Sequence, residues 1–253
     1  MASIPLRILA AAFACLVAGA AVAQSRSDAA REKRWADQVL PSLVVGDAVY
    51  LEAAGSRFLA LYAKAEPARG AVILAHGPGL HPDHGLTGEL RVHLADRGYT
   101  TLSLQMPVLP AEVDDGAAYR ALYPEAARRL EAGMKFLQEK GAKRVAIVSH
   151  AMGAGMTHEY LKANRGAPVS GWAALSFYGV FDGIAGAPFP VLDLYGARDY
   201  RGIRGPAQDR AELLRTLPGS RQLAVPGGGY FLAGGEKAVL QEVAAFLDAI
   251  SAR

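Results

Sequence analysis

Residues 144–156 read Arg-Val-Ala-Ile-Val-Ser-His-Ala-Met-Gly-Ala-Gly-Met, and what chemistry this stretch could do turns on its central residue, Ala151. Residues 144–148 form a short apolar, β-branched run of the kind that makes a buried parallel strand. The run breaks at Ser149-His150-Ala151-Met152-Gly153, and a helix-compatible segment, 154–163, follows. Strand, sharp turn and helix, with small residues two places before and after the centre, is the layout of a nucleophile elbow, which presents a serine on a strained turn. The flanking positions stay small because the turn brings their backbones close to neighbouring elements. Gly153 fills the second small position and Ser149 the first. The nucleophile position itself is vacant, because Ala151 has no reactive atom. Ser149, two residues before the apex, is expected at the strand end with its hydroxyl bonded locally. His150 adjoins the apex and is expected to be partly exposed, an alternative acid–base group.

Acyl transfer by such a site needs nucleophile, acid and histidine in that chain order, with backbone donors for the oxyanion. Asp199, just beyond a predicted strand in Gly196-Ala-Arg-Asp199, stands at the acid position; the plainer reading is a turn or cap aspartate. Gly227-Gly-Gly-Tyr230 makes a glycine-rich approach to the third position, but Tyr230 stands there and no histidine follows His158. A phenol with a pKa near ~10 does not exchange protons at neutral pH as an imidazole does. Two separate roles are therefore unfilled. The Met152 N–H remains as an oxyanion donor, and Gly77 and Gly79 (or Leu80) are candidates on the facing loop, where Pro78 has no N–H. Donors without a nucleophile suit the binding of a carbonyl or carboxylate. His76, His81, Asp83 and His84 share that loop, and imidazoles with a carboxylate suit zinc. Their spacing matches no helical ligand pair, so no metal site is assigned and His81, Asp83 and His84 stand as a weak alternative. His93 and His158 read as helix-surface residues.

The elements that must position these groups follow in order. The chain has 253 residues, 51% hydrophobic and 20% charged, which is ample for one sizeable core. Its net charge of +3, with no basic cluster interleaved with aromatics, argues against nucleic acid as a partner. Arg7, an apolar stretch over 8–20 and Ala21-Val22-Ala23 read as a signal peptide, 1–23, cleaved before Gln24. That leaves no membrane span after cleavage. The only cysteine, Cys15, lies inside this leader, and export without disulfides points to a periplasm. Residues 24–46 form an N-terminal extension, polar and loose over 24–33, with one helical turn over 35–40. Strands are predicted at 47–53, 57–64, 71–75, 100–104, 144–148, 172–178, 191–195 and 221–225. Helices are predicted at 86–97, from Pro124 to about Gly141, at 154–163, 206–216 and 236–250. The last buries Val239, Val243, Phe246, Leu247 and Ile250 on one stripe. Alternating strands and helices argue for an α/β fold, a mainly parallel sheet covered on both faces.

Four features in order, His76-Gly77 at a strand end, the elbow at 149–153, Gly196-Ala-Arg-Asp199 and Pro226-Gly-Gly-Gly-Tyr230-Phe231, resemble the α/β-hydrolase fold over 47–253. Together with Gly79-Leu-His81-Pro82-Asp83 and Leu102-Ser-Leu-Gln-Met-Pro107, they resemble a bacterial family of exported α/β-hydrolase-like proteins of unknown function. The resemblance implies a three-layer sandwich as one domain, and His76 as a hydrogen-bonding residue below the oxyanion loop. It implies no cofactor. Ala151 with Tyr230 then favours a non-catalytic binding or structural protein with a small molecule above the elbow. The alternative is an esterase or acyl hydrolase using His150 with Asp199, or a metal on the 76–84 loop. A docking module of the cell envelope is a third class, although no patch names a protein partner.

Overall fold

Alternation within single strands sets the layers. In β3 (Gly70–Ala75), Val72 and Leu74 point to one face and Ile73 to the other, and all three are fully buried. A strand apolar on both sides must be covered on both sides. The computed structural model describes residues 27–252 except Ala54 and Asp114, so the predicted signal peptide lies outside the described residues. Its sheet has eight strands in the order β1-β2-β4-β3-β5-β6-β7-β8. The hairpin of β1 (Asp47–Ala53) and β2 (Ser56–Ala63) is antiparallel, and β2 lies antiparallel to β4 (Tyr99–Leu104). β3, β4, β5 (Val145–His150), β6 (Val169–Leu175), β7 (Val191–Gly196) and β8 (Arg221–Val225) are mutually parallel. Their C-terminal ends therefore share one edge.

On one face Leu90 and Leu94 of α2 (Gly85–Asp96) meet Val239, Val243, Phe246 and Leu247 of α7 (Glu236–Ser251) over Val72 and Leu74. On the other, Leu130 and Leu137 of α3 (Tyr123–Glu139) and Met156 and Leu161 of α4 (Met152–Ala163) cover Ile73, Ile147 and Trp172. Two short helices, α5 (Arg201–Arg204) and α6 (Ala207–Leu214), lead from β7 to β8. The predicted stripe of α7 is buried except Ile250, which is half-buried. Among the described residues, no helix is long and apolar enough to cross a membrane.

Three expectations are corrected. The strand predicted at 172–178 ends at Leu175, because Ser176 turns away with φ 47°. Within 24–33, predicted to be loose, Ala29 already starts α1 (Ala29–Val39), which takes in most of the turn predicted at 35–40 and is capped by Asp28, whose carboxylate accepts from the Arg31 N–H at 2.9 Å. Ala36 and Val39 pack on Leu59 and Leu61 of β2. Its polar residues have partners: Arg129 reaches Glu32 at 2.9 Å and Glu125 at 2.6 Å, and donates to the Gln105 carbonyl at 2.8 Å. Burial pushes the Glu32 carboxyl up, with the Arg129 charge opposing. His158, expected on a helix surface, is buried, stacked on Trp172, with Nε2–H donated to the Asp182 carbonyl at 2.8 Å.

The sheet also carries an ion pair with both side chains fully buried, Arg210 Nε to Asp193 Oδ2 at 2.7 Å, with Gln222 donating to the same oxygen. Arg210 further donates to the carbonyls of Gly179 and Ile203, tying the loop after β6 to α5 and α6. Removing one partner strands a buried charge. Arg210→Met is expected to cost about 3–5 kcal/mol in urea unfolding. A loss below about 1 kcal/mol, the level of a surface pair, would show that the pair is not holding this end of the sheet.

Candidate functional site

β5 ends at His150 and α4 begins at Met152, leaving a single residue to reverse the chain. That residue, Ala151, adopts φ 52° and ψ −116°, a strained geometry for any side chain. Its N–H donates to the Leu175 carbonyl at 2.8 Å, and its own carbonyl accepts from Ala154 and Gly155 at 3.0 and 3.3 Å. The approach of α4 to β3 requires Gly153: a Cβ there would lie 2.4 Å from the His76 carbonyl oxygen and 2.6 Å from that of Ala75. The turn thus keeps the backbone of a nucleophile elbow around an alanine.

Asp199 lies buried beyond the end of β7. Its Oδ2 accepts from the Ser176 hydroxyl at 2.6 Å and the Gly196 N–H at 3.2 Å. Its Oδ1 accepts from the N–H groups of Tyr200 and Phe231, each at 3.0 Å. Four donors converge on one carboxylate, and such charge-assisted bonds are the strong ones. Ser176, which follows β6, commits its proton to Asp199. Nothing in the sequence marks Ser176, which falls inside the strand expected at 172–178. The usable signal was its position between two apolar strands whose ends must share one edge.

The side chain that joins Ala151 at the cavity is Phe231, not Tyr230. Tyr230 is 59% exposed and stacks on Tyr200 with ring centroids 4.1 Å apart. The chain turns between the two tyrosines and Leu232, with φ 51° at Phe231 and 68° at Leu232. A cavity of about 470 Å³ lies above the apex, walled by Pro78, Ala151, Met152, Ser176, Tyr200 and Phe231. Met152 is the first residue of α4, so its N–H has no partner within the helix. On the facing loop, Gly77 adjoins Ala151, its Cβ direction ending 3.6 Å from the alanine methyl. Gly79 does not line the cavity, and its carbonyl accepts from Arg31 Nη2 at 3.4 Å.

The histidines are spoken for. His76 Nε2 accepts from the Met106 N–H at 2.9 Å, which leaves Nδ1–H to donate to the Gly77 carbonyl at 2.7 Å. Burial drives its pKa down to about 3. It braces the loop from below, as the resemblance implies. His150, expected partly exposed, is buried; Nε2–H donates to the Phe231 carbonyl at 3.1 Å, and burial drives its pKa down to about 4. It ties the elbow to the Phe231 turn rather than lining the cavity. Ser149 is buried too, its Oγ accepting from Trp172 Nε1 on the neighbouring strand at 2.7 Å. Asp83 is held by Arg91 at 2.5 Å, and His81 packs between Trp35 and His84. Among the described residues no cluster of three potential metal ligands occurs.

Residues 4–127 match the family model described as "Protein of unknown function (DUF3530)". No curated protein matches the chain. Among solved structures, Est1E from Butyrivibrio proteoclasticus is 12% identical and superposes with a TM-score of 0.68, covering 82% of this chain and 100% of that one. A dienelactone hydrolase from Anabaena variabilis gives 17% identity and a TM-score of 0.65 over 79% and 95% of the two chains. The Pyrococcus furiosus esterase Pf2001 gives 16% and 0.63 over 81% and 97%. At these identities the likeness is one of fold.

Both buried imidazoles are neutral in the folded protein and ordinary, near pH 6.5, when unfolded. A depressed histidine pKa means that the unfolded chain takes up protons first as the pH falls. Their contribution is therefore present above pH 6.5 and is lost on acidification, down to about pH 4 for His150. Each contributes a slope of about 1.4 kcal/mol per pH unit between those limits. Urea unfolding at pH 6.0, 5.5, 5.0 and 4.5 should show His150→Gln flattening the wild-type slope by about one proton. An unchanged slope would mean that His150 is charged, and so exposed, in the native state.

Proposed function

We propose that this chain, whose fold is that of the α/β-hydrolases, is an exported binding protein without serine-hydrolase chemistry. It holds a small, mainly apolar ligand that bears a carbonyl or carboxylate in the cavity above Ala151. The observation carrying this reading is the alanine at the strained apex. Supporting it, Asp199 is saturated by Ser176 and three backbone amides, and a phenylalanine lines the cavity where a base would have to stand. The Met152 N–H at the start of α4 offers a donor, and helix N-termini favour partial or full negative charge. Strain held in the backbone at a cavity without a reactive atom is consistent with a site reused for binding. Export rests on Arg7, the apolar core and Ala21-Val22-Ala23, and a periplasmic location on the single cysteine falling within that leader.

N-terminal sequencing of protein from the native cell should give a chain beginning at Gln24, whereas one beginning at Met1 and held in the cytoplasm contradicts export. Purified protein should resist fluorophosphonate labelling and give no turnover of short p-nitrophenyl esters above background. Ala151→Ser alone should add little, since a missing general base is worth roughly 10²–10⁴-fold. Ala151→Ser with Phe231→His should exceed Ala151→Ser with Tyr230→His, because Phe231 and not Tyr230 lines the cavity. Wild-type turnover abolished by His150→Gln or Asp199→Ala would replace this reading with an unorthodox hydrolase.

A further inference from the structure

The cavity above Ala151 has a second wall, made by Gly116, Ala117, Arg120, Tyr123, Gly155 and Tyr178. Among the described residues lining it, Arg120 is the only charged one. Arg120 lies in the one-turn helix Ala118–Leu122, is exposed, and has no carboxylate within salt-bridge reach among the described residues. An adjoining open groove of about 730 Å³ shares Arg120, Tyr123, Gly155 and Tyr178 with the cavity, so Arg120 sits at the junction. The other cation of that groove is already neutralised: Lys162 Nζ lies 2.8 Å from Asp182 and 3.3 Å from Glu159. Every other cavity side chain is apolar, aromatic or an uncharged hydroxyl. Tyr123 spends its phenol on Met152 Sδ at 3.1 Å, and Ser176 spends its proton on Asp199.

One cation beside apolar and aromatic walls is complementary to one kind of molecule. We infer that the ligand is an amphipathic monocarboxylate, with its carboxylate on Arg120 at the cavity mouth rather than at the Met152 N–H and its acyl or aryl body against Tyr178, Tyr200 and Phe231. A guanidinium offers a forked pair of donors that fits a carboxylate in bidentate fashion, and aromatic faces suit an apolar body. A cationic ligand would face Arg120 with no carboxylate among the described residues of the cavity wall to offset it. A dianion would leave one charge against Tyr200 and Phe231. The inference rests on the proposed binding role and goes beyond it by fixing the ligand's charge and the residue that reads it.

Isothermal titration of the mature chain with hexanoate, octanoate and 4-phenylbutyrate, each beside its methyl ester, tests this. The expected result is a preference of about ten-fold or more for at least one acid over its ester, the scale of a hydrogen bond to a charged group. That preference should shrink between 50 and 500 mM NaCl, since the cation sits at an open mouth. Arg120→Gln should remove the preference while changing ester affinity less than about three-fold, because the apolar walls are untouched. Ala151→Leu, which fills the cavity floor, should weaken acid and ester together; Ala117→Trp does the same from the exposed rim if the apex variant does not fold. Acid and ester binding equally, or acid binding unchanged in Arg120→Gln, would overturn the assignment of the carboxylate while leaving a binding cavity. No binding of any acid or ester would overturn the cavity's binding role and this inference together.

Discussion

The site depends on one close approach, the N-terminus of α4 against the end of β3. Gly153 brings its Cα to where a side chain would run into the carbonyl oxygens of Ala75 and His76. That approach fixes where α4 starts and leaves the single residue between β5 and α4 at φ 52°. The same carbonyl belongs to His76, whose imidazole spans from the Met106 amide to the Gly77 carbonyl and so sets the facing loop. A larger residue at 153 would separate helix and strand and release the strain at Ala151. The apex is thus held by packing and backbone hydrogen bonds, with no help from the residue's own chemistry. An alanine can occupy it and leave the scaffold intact.

The network behind that approach extends to the N-terminal segment. Gln105 donates to the carbonyl of Met106, the residue whose amide binds His76, and Gln105's own carbonyl accepts from Arg129. Arg129 in turn holds Glu32 of α1 and Glu125 of α3, and Ser27 donates its N–H to Glu125. Ser27 also exchanges bonds with Val108 at the far end of the loop after β4. The first described residues are therefore tied, bond by bond, to the loop that faces the elbow. The part of the N-terminal extension expected to be loose, 24–33, supplies in Ser27 and Glu32 a brace for the site's frame.

Much of the fold was legible in the sequence because strands buried on both faces must be continuously apolar. Val72-Ile-Leu and Val145-Ala-Ile-Val announced themselves in that way, whereas β7 carries Asp193 between Leu192 and Leu194. What stayed hidden were the places where polar groups satisfy each other across long separations. Nothing local to Glu32 or Arg129 announces their pairing, which spans most of a hundred residues of chain. His158 read as surface because its partners are the Asp182 carbonyl and the Trp172 ring. Ser176 was lost in an overlong strand, and Phe231 in the choice between adjacent aromatics, since a two-residue turn at positive φ decides which one faces inward. Ala151 and Asp199 were recoverable because their positions follow from strand ends; the saturation of Asp199 was not, because three of its four donors are backbone amides.

The α/β-hydrolase fold here combines a strained turn at Ala151, the first amide of α4 and a cavity lined by Phe231, and the proposed reading is that this cavity holds an acyl group without transferring it. The most direct measurement is incubation of the purified mature chain with excess methyl 4-phenylbutyrate in ¹⁸O-enriched water, followed by mass analysis of the recovered small molecule. The account predicts intact, unlabelled ester at the rate of decay seen in buffer. Labelled 4-phenylbutyrate accumulating faster than in buffer, and no longer doing so in Asp199→Ala, would contradict it.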